Sequence, residues 1–443
     1  MEGARLLREY WTGEYPEAEI IITLIATMFT KTAYRIDVSE GGLYMYSKIV
    51  FTPLSYTGWG SIEQLLPEVE KYSPQRILVV TDSVLEEIGL VDRIRDPLEH
   101  VGYTVDVYTD IVPEPPLAVG EKLVAYTRKN AFDLVIGLGG GSALDLAKLT
   151  AVLSSHDGSV ADYLNLSGGK QVTEKGLPKI LIPTTAGTGS EVTNISVLSL
   201  DRTKDVVTHD YLLADAAIVD PELTISVPSK VTAATGVDAL THAIEAYVSV
   251  NASPTTDGLA LQAIRLISRS IRRAVENGED REARIDMSNG SYIAGLAFFN
   301  AGVAGVHALA YPLGGQFHIA HGDSNAVLLP YVMGYIRKSC TKRMNDILNA
   351  LGGNSQYLSE EEGSYECVRE LHRLVLDVGI PETLGGFGIP LSALDSLTED
   401  GVKQQRLLAR SPLPLHETDI RAIYQSAFDG KIVEHTLSNV QHP

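Results

Sequence analysis

One change of texture constrains this chain more than any single motif. Between residues 57 and 225 short β-rich runs alternate with helical stretches, whereas beyond Pro228 nearly every segment is long, rich in Ala, Leu and Ile, and helical in period. The first pattern is that of a parallel α/β sheet. It predicts strands at "RILVVTD" (76–82), "YTVDVYTD" (103–110), "FDLVIGLGGGS" (132–142), "KILIPTT" (179–185) and "AAIVD" (216–220), with helices at "SVLEEIGLVDRI" and "VGEKLVAYTRKN". The second predicts helices over 229–250, 255–276, 280–300, 303–315, 324–350, 361–378 and 417–428. A chain of 443 residues exceeds the usual single core. The expected fold is therefore an α/β nucleotide-binding domain with a parallel sheet, residues 45–226, followed by an all-α domain, residues 227–443. No repeat or low-complexity linker separates them, so the cleft between the halves is the expected ligand site.

Charge narrows the partners. With 36 basic against 56 acidic residues and a formal charge of -20, no broad electropositive surface is left for nucleic acid or an anionic membrane. An anionic ligand must be held locally, by loop amides or helix ends. Cys340 and Cys367, the only cysteines, are too few for a disulfide framework or a thiolate zinc site and suit a reducing compartment. The apolar run "IIITLIATMF" (20–29) is shorter than the roughly 20 residues of a bilayer span. It follows Glu14, Glu17 and Glu19 instead of a basic segment, so neither a span nor a signal peptide is expected, and a cytoplasmic location is. Residues 1–44 show no clear period before the Gly41-Gly42 break. They read as a non-catalytic extension, with Met45 as an alternative start, or as an oligomerisation arm.

"DLVIGLGGGSALDLAK" sets Gly137, Gly139, Gly140, Gly141 and Ser142 between an apolar strand and a helix. Glycines there let backbone amides approach a pyrophosphate while the helix N-terminus adds positive partial charge. In the usual dinucleotide fold the glycines come first and a ribose-binding acid follows roughly 20 residues later. Here the acid at a strand end, Asp82, comes first and the glycines follow about 57 residues on. An acid beside the adenosine ribose favours NAD, because a 2'-phosphate would be repelled; capping of the helix at Ser83 is the structural alternative. A second loop, "PTTAGTGSEVT" (183–193), offers hydroxyls from Thr184, Thr185, Thr188 and Ser190 to a phosphate, a ribose or a nicotinamide amide.

The helical half carries "TGVDALTHAIEAY" (235–247), where Asp238 and His242 stand four residues apart among apolar neighbours. That spacing puts both side chains on one helix face. Downstream, "AGVHALAYPLGGQFHIAHGDSNAVLLP" holds His307, His318 and His321, three of the eleven histidines. A carboxylate with imidazoles suits a divalent first-row cation such as Fe2+ or Zn2+ with a position left for substrate. Spacing leaves His307, His318 and His321 competing for the two remaining places.

On "GGGSALDLAK", "PTTAGTGSEVT", "AAIVDPELT", "GVDALTHAIEAY" and "HIAHGDSNAVLLP", in that order, the chain resembles the iron-containing (group III) alcohol dehydrogenases over about residues 55–430. The resemblance implies a dehydroquinate synthase-like architecture, NAD and a divalent metal, Fe2+ or alternatively Zn2+, and a homodimer or higher homo-oligomer. It implies Asp238, His242, His307 and His321 as metal ligands, with His318 outside them. Around the dinucleotide it implies Asp82, Gly139, Gly140, Gly141, Ser142, Asp145, Thr184, Thr185, Thr188 and Lys204. The chain departs from the family pattern in three places: Tyr311 stands where many members have a second histidine, Ser411-Pro412-Leu413-Pro414 stands for Asn-Pro-Arg-Pro, and Ala214 for a proline.

The activity so implied is hydride transfer between an alcohol, primary or diol, and NAD, giving an aldehyde or ketone. Tyr311 and His318 are the candidates for moving the alcohol proton, and Phe298 for lining the substrate pocket. A hydroxy-acid substrate such as 4-hydroxybutyrate, a non-redox lyase on the same architecture, and an assembly role driven by residues 1–44 are the alternatives.

Overall fold

The computed structural model describes residues 35–37, 44–200 and 204–432. The expectations for residues 1–44, the apolar run at 20–29 included, lie outside the described residues except at 35–37 and 44. Strand β1 (Arg35–Asp37) pairs antiparallel with β2 (Tyr44–Tyr46). The chain continues through β3 (Ser55–Thr57), β4 (Arg76–Val80), β5 (Thr104–Tyr108), β6 (Leu134–Gly139) and β7 (Lys179–Pro183). An antiparallel hairpin of β8 (Ile195–Ser199) and β9 (Lys204–Thr208) precedes β10 (Ala216–Val219).

Six strands form one parallel sheet in the order β3-β10-β7-β6-β4-β5. Helices cover both faces, which is why its inner strands β4, β6, β7 and β10 read as continuous apolar runs instead of alternating ones. Ile77 and Val79 of β4 face Leu65 and Val69 of α1 (Leu65–Glu70); beyond the short α2 (Ser83–Glu87), α3 (Asp92–His100) adds Ile94 and Leu98 to that side. Leu78 and Val80 face the opposite layer, made by α4 (Leu117–Asn130) and α5 (Gly141–Leu153). From β4 the chain steps outward to β5 and then returns to the other side of β4 for β6. Open sheets bind ligands at the carboxyl ends of strands where the order reverses in this way. That point lies between β4 and β6, the strands that lead into Asp82 and the glycine loop.

The helical half starts with α6 (Ser229–Val248), buried on all sides from Thr232 onward except at Thr235. A helix apolar around its whole circumference belongs at the centre of a bundle. Around it lie α7 (Pro254–Glu276), α8 (Arg281–Ala301), α9 (Gly305–Phe317) and α10 (His321–Ile336), followed by α11 (Thr341–Ala350), α12 (Glu360–Asp377), α13 (Leu394–Val402), α14 (Gln405–Leu408) and α15 (Glu417–Asp429). The single helix expected over 324–350 is two, because a 3-10 turn at Arg337–Ser339 and a non-helical Cys340 (φ -146°) let the chain turn before α11. Strands β3, β8 and β9 and helices α13 and α14 were not expected from the sequence, all being short. Between α8 and α9 the chain bends by 104° at Gly302, whose φ is +84°. Among the described residues no single helix is long and apolar enough to cross a membrane.

Candidate active site

Four side chains from three helices converge beside α6. Asp238 and His242 project from one face of α6, His307 from the first turn of α9, and His321 opens α10. One ligand atom from each lies within 4.8 Å of all the others. The Nε2 atoms of His307 and His321 each stand 3.8 Å from Asp238 Oδ1, and the His242 ring stacks on His307 at 4.7 Å and on Phe298 at 4.2 Å. Asp238, His242 and His307 are buried, while the His321 side chain keeps 28% of its surface and faces the opening.

This cluster fits a divalent cation. His307 Nε2, which faces Asp238 Oδ1, is buried without a hydrogen-bond partner, a costly state for a polar atom that a metal would relieve. Burial holds His242 down to about 4 and His321 to about 3, so both rings are neutral near pH 7, the form that ligates. Burial pushes the Asp238 carboxyl up, but the three imidazoles and the Asn325 amide outweigh it and bring it below its usual range. Asn325 Nδ2 donates to Asp238 Oδ1 at 2.7 Å and lies 3.1 Å from His321 Nε2.

Glu245, one turn beyond His242 on α6, is fully buried behind the cluster. Its Oε2 accepts from Ala304 N at 2.9 Å and lies 2.7 Å from His307 Nδ1, and its Oε1 accepts from Val306 N at 2.6 Å. Neither Glu245 nor Asn325 was singled out from the sequence. The available signal was periodicity: Glu245 stands seven residues from Asp238, and Asn325 four from His321, each pair on one helix face.

At the sheet end, the residues expected around a dinucleotide meet across three neighbouring strands. Asp82 Oδ1 caps α2 through the amides of Val84 and Leu85, so its capping role is present. A Cβ placed on Gly139 would lie 3.7 Å from Asp82 Oδ2 and 2.8 Å from Ala143 Cβ. With φ +147° as well, Gly139 is required where the chain turns from β6 into α5. Thr184 N donates to Gly139 O at 3.0 Å. A Cβ on Gly140 would meet Thr185 Oγ1 at 3.6 Å, and one on Gly141 would meet Thr188 Cγ2 at 2.7 Å. No side chain caps α5, which leaves its first amides for an anion.

Asp145 lies at the edge of this loop and is engaged internally: its carboxylate takes Ser190 Oγ at 2.5 Å, Val197 N at 2.8 Å and Lys148 Nζ at 2.9 Å. Lys148, fully buried and also bonded to Ser190 O, was another residue missed from the sequence. The Asp145–Lys148 pair ties the second polar loop to α5. Ser142 Oγ accepts from Glu114 N at 3.1 Å, and Lys204 Nζ pairs with Glu114 at 3.0 Å.

A cavity of about 510 Å³ joins the two ends. Gly141, Ser142, Asp145, Thr188 and Lys204 line one side, and His242, Phe298, His307, Tyr311 and His321 the other. Asp82, Gly139, Gly140, Thr184 and Thr185 lie outside this lining, further along the edge of the sheet. Tyr311 stands with its ring 6.0 Å from that of His321 and 5.8 Å from Lys204 Nζ; burial raises its phenol above the usual value. His318 is not brought to the cluster. It ends α9 in the left-handed region (φ 55°), is exposed, and does not line the cavity.

The chain's relatives agree with what this cleft can do. The family model described as "Iron-containing alcohol dehydrogenase" matches residues 53–221, and that described as "Fe-containing alcohol dehydrogenase family, C-terminal" matches residues 232–428. The chain is 75% identical over 388 residues to a long-chain-alcohol dehydrogenase of Geobacillus thermodenitrificans, covering 88% of this chain and 98% of that protein. Among solved structures it is similar to a 1,3-propanediol oxidoreductase (TM-score 0.83, 34% identity, 86% of this chain and 100% of that one). It is also similar to an NAD+ complex of a sulfoacetaldehyde reductase from Bifidobacterium kashiwanohense (TM-score 0.78, 29% identity, 87% and 99%). These relatives favour an alcohol dehydrogenase over the hydroxy-acid and lyase alternatives. A parallel sheet ending in a glycine loop, a buried carboxylate with three imidazoles, and matches running through both halves have one common reading: the chain belongs to the iron-containing alcohol dehydrogenase family, oxidoreductases acting on the CH–OH group.

Proposed function

We propose that this enzyme interconverts primary alcohols, diols included, and their aldehydes with NAD, using a divalent cation held by Asp238, His242, His307 and His321. The observation that carries the reading is that three of these four clustered ligands, His242, His307 and His321, line one cavity with Gly141 and Ser142 of the glycine loop. When bound, the cation, Fe2+ or alternatively Zn2+, supplies Lewis acidity toward the substrate oxygen, and NAD supplies the hydride acceptor.

The protein's own groups do the rest. Amides of Gly140, Gly141 and Ser142 at the start of α5 hold the pyrophosphate. Asp82 at the adjacent strand end takes the ribose and disfavours a 2'-phosphate. Thr184, Thr185 and Thr188 pack the second loop against those glycines, Asp145 holds that loop to α5, and Lys204 stands at the cofactor side of the cavity. Phe298, Phe299, Val303 and Leu407 form an apolar wall that keeps water from the carbon chain. The relative from Geobacillus is named for long-chain alcohols, and the same wall suits a substrate with an aliphatic tail. Tyr311, in the cavity and close to His321, is the side chain placed to pass the alcohol proton onward; exposed His318 is not.

We also take residues 45–226 and 227–443 as the two functional domains, the protein as cytoplasmic, and its working form as a homo-oligomer. Asp238→Ala and His321→Ala are expected to lose bound metal and turnover together, measured by metal analysis and by NADH formation under anaerobic conditions with added Fe2+ or Zn2+. Full metal content and activity in either variant would overturn the ligand set. Running the same assay across alcohols, diols and hydroxy acids, with NADP in parallel, tests the substrate and cofactor.

A further inference from the structure

Helix α9 carries His307 on its first turn, yet its sequence supplies no cap: Ala304 precedes it, and no side chain of its own segment bonds its first amides. The cap comes from another helix. Glu245 of α6 reaches across to the amides of Ala304 and Val306 and, with the same carboxylate, to His307 Nδ1. We propose that Glu245 is a positioning residue for the metal site: it fixes His307 with its proton on Nδ1, so that Nε2 presents a lone pair toward Asp238, His242 and His321.

The argument is one of donors and acceptors. Two of the three groups facing Glu245 are backbone N–H groups, which can only donate. Each oxygen of the fully buried carboxylate already accepts from one of them, so His307 Nδ1, facing the same Oε2 that takes the Ala304 amide, is placed as a third donor. That leaves Nε2 unprotonated, and Nε2 is the atom found buried without a partner inside the cluster. Orphaned on its own, it is explained as a ligand atom whose tautomer is set from behind. Charge points the same way. Asp238 is the one carboxylate among the four clustered side chains, and Glu245 places a second carboxylate behind the His307 ring. Such outer carboxylates orient metal-binding imidazoles, and their loss costs about 10–100-fold in metal affinity.

The inference rests on the reading of the cluster as a metal site, and the test separates the two. Glu245→Gln keeps shape but replaces one acceptor by an NH2 group, which must then face an N–H of Ala304, of Val306 or of His307. Metal-free wild type and variant are titrated with Zn2+, and anaerobically with Fe2+, against a chromophoric chelator, and their melting temperatures are recorded without metal. The expected result is a variant that stays folded when metal-free and binds about 10–100-fold more weakly. A variant that binds as tightly as wild type overturns the inference, even if it melts earlier, because the carboxylate then only caps α9. If the variant does not fold, 15N-histidine NMR of the metal-free wild type decides: His307 protonated on Nδ1 supports the inference and His307 protonated on Nε2 overturns it. Failure of wild type to bind either cation would instead overturn the metal reading, leaving the tautomer result to stand by itself.

Discussion

Tyr311 is the residue at which this chain departs most consequentially from its family's usual pattern. Its phenol is kept neutral by burial and lies in the cavity beside His321, where it can donate and accept a proton in turn. Tyr311→Phe is expected to lower kcat by about 100-fold with a smaller change in KM, read by steady-state kinetics on a primary alcohol. An unchanged kcat would confine Tyr311 to a wall of the pocket. At this scale the sequence was informative where spacing has one geometric meaning: Asp238 and His242 are four apart within a long apolar helix and must share a face. It was silent on choosing between His318 and His321. Only two residues separate them, but a helix ends at the first with φ 55° and another begins at the second, and that reversal sends one ring to solvent and the other to the cluster.

Among elements, the glycine loop shows how order along the chain and order in space part company. Asp82 precedes the glycines by about 57 residues, opposite to the usual arrangement, yet β4 and β6 are hydrogen-bonded neighbours. Acid and loop therefore meet as they would in the familiar order. The alternation of strands and helices was legible because the inner strands β4, β6, β7 and β10 are sealed on both faces and show as apolar runs. Which strand lies beside which was not legible, since pairing is decided by crossovers that leave no local signature. Gly141 belongs to the packing between elements: a methyl there would fall 2.7 Å from Thr188 Cγ2 and push the two polar loops apart. Gly141→Ala is expected to raise the KM for NAD by about tenfold or more, equivalent to about 1.4 kcal/mol of lost binding, with metal content unchanged. A wild-type KM in that variant would show that the loops do not need this contact.

For the molecule as a whole, the cluster joins α6, α9 and α10, so metal binding and folding of the helical half are linked. A ligand that binds only the native state at 100 times its Kd adds about 2.7 kcal/mol of stability. The melting temperature is accordingly expected to fall when the protein is stripped with chelator and to recover when Fe2+ or Zn2+ is restored, by differential scanning fluorimetry. Asp238→Ala should show no such recovery. A chain beginning at Met45 is expected to keep wild-type turnover and the same number of subunits by light scattering, as befits a non-catalytic extension; fewer subunits would make residues 1–44 the assembly arm. The 104° bend between α8 and α9 also has a bearing on how the chain is made. These two helices together are long and apolar enough to resemble a membrane span, and only the bend separates them. Synthesis runs from the amino end, so α6 has already left the ribosome when this segment emerges. Glu245 is then waiting for the amides of Ala304 and Val306, and this apolar stretch of the nascent chain has a docking point within its own protein.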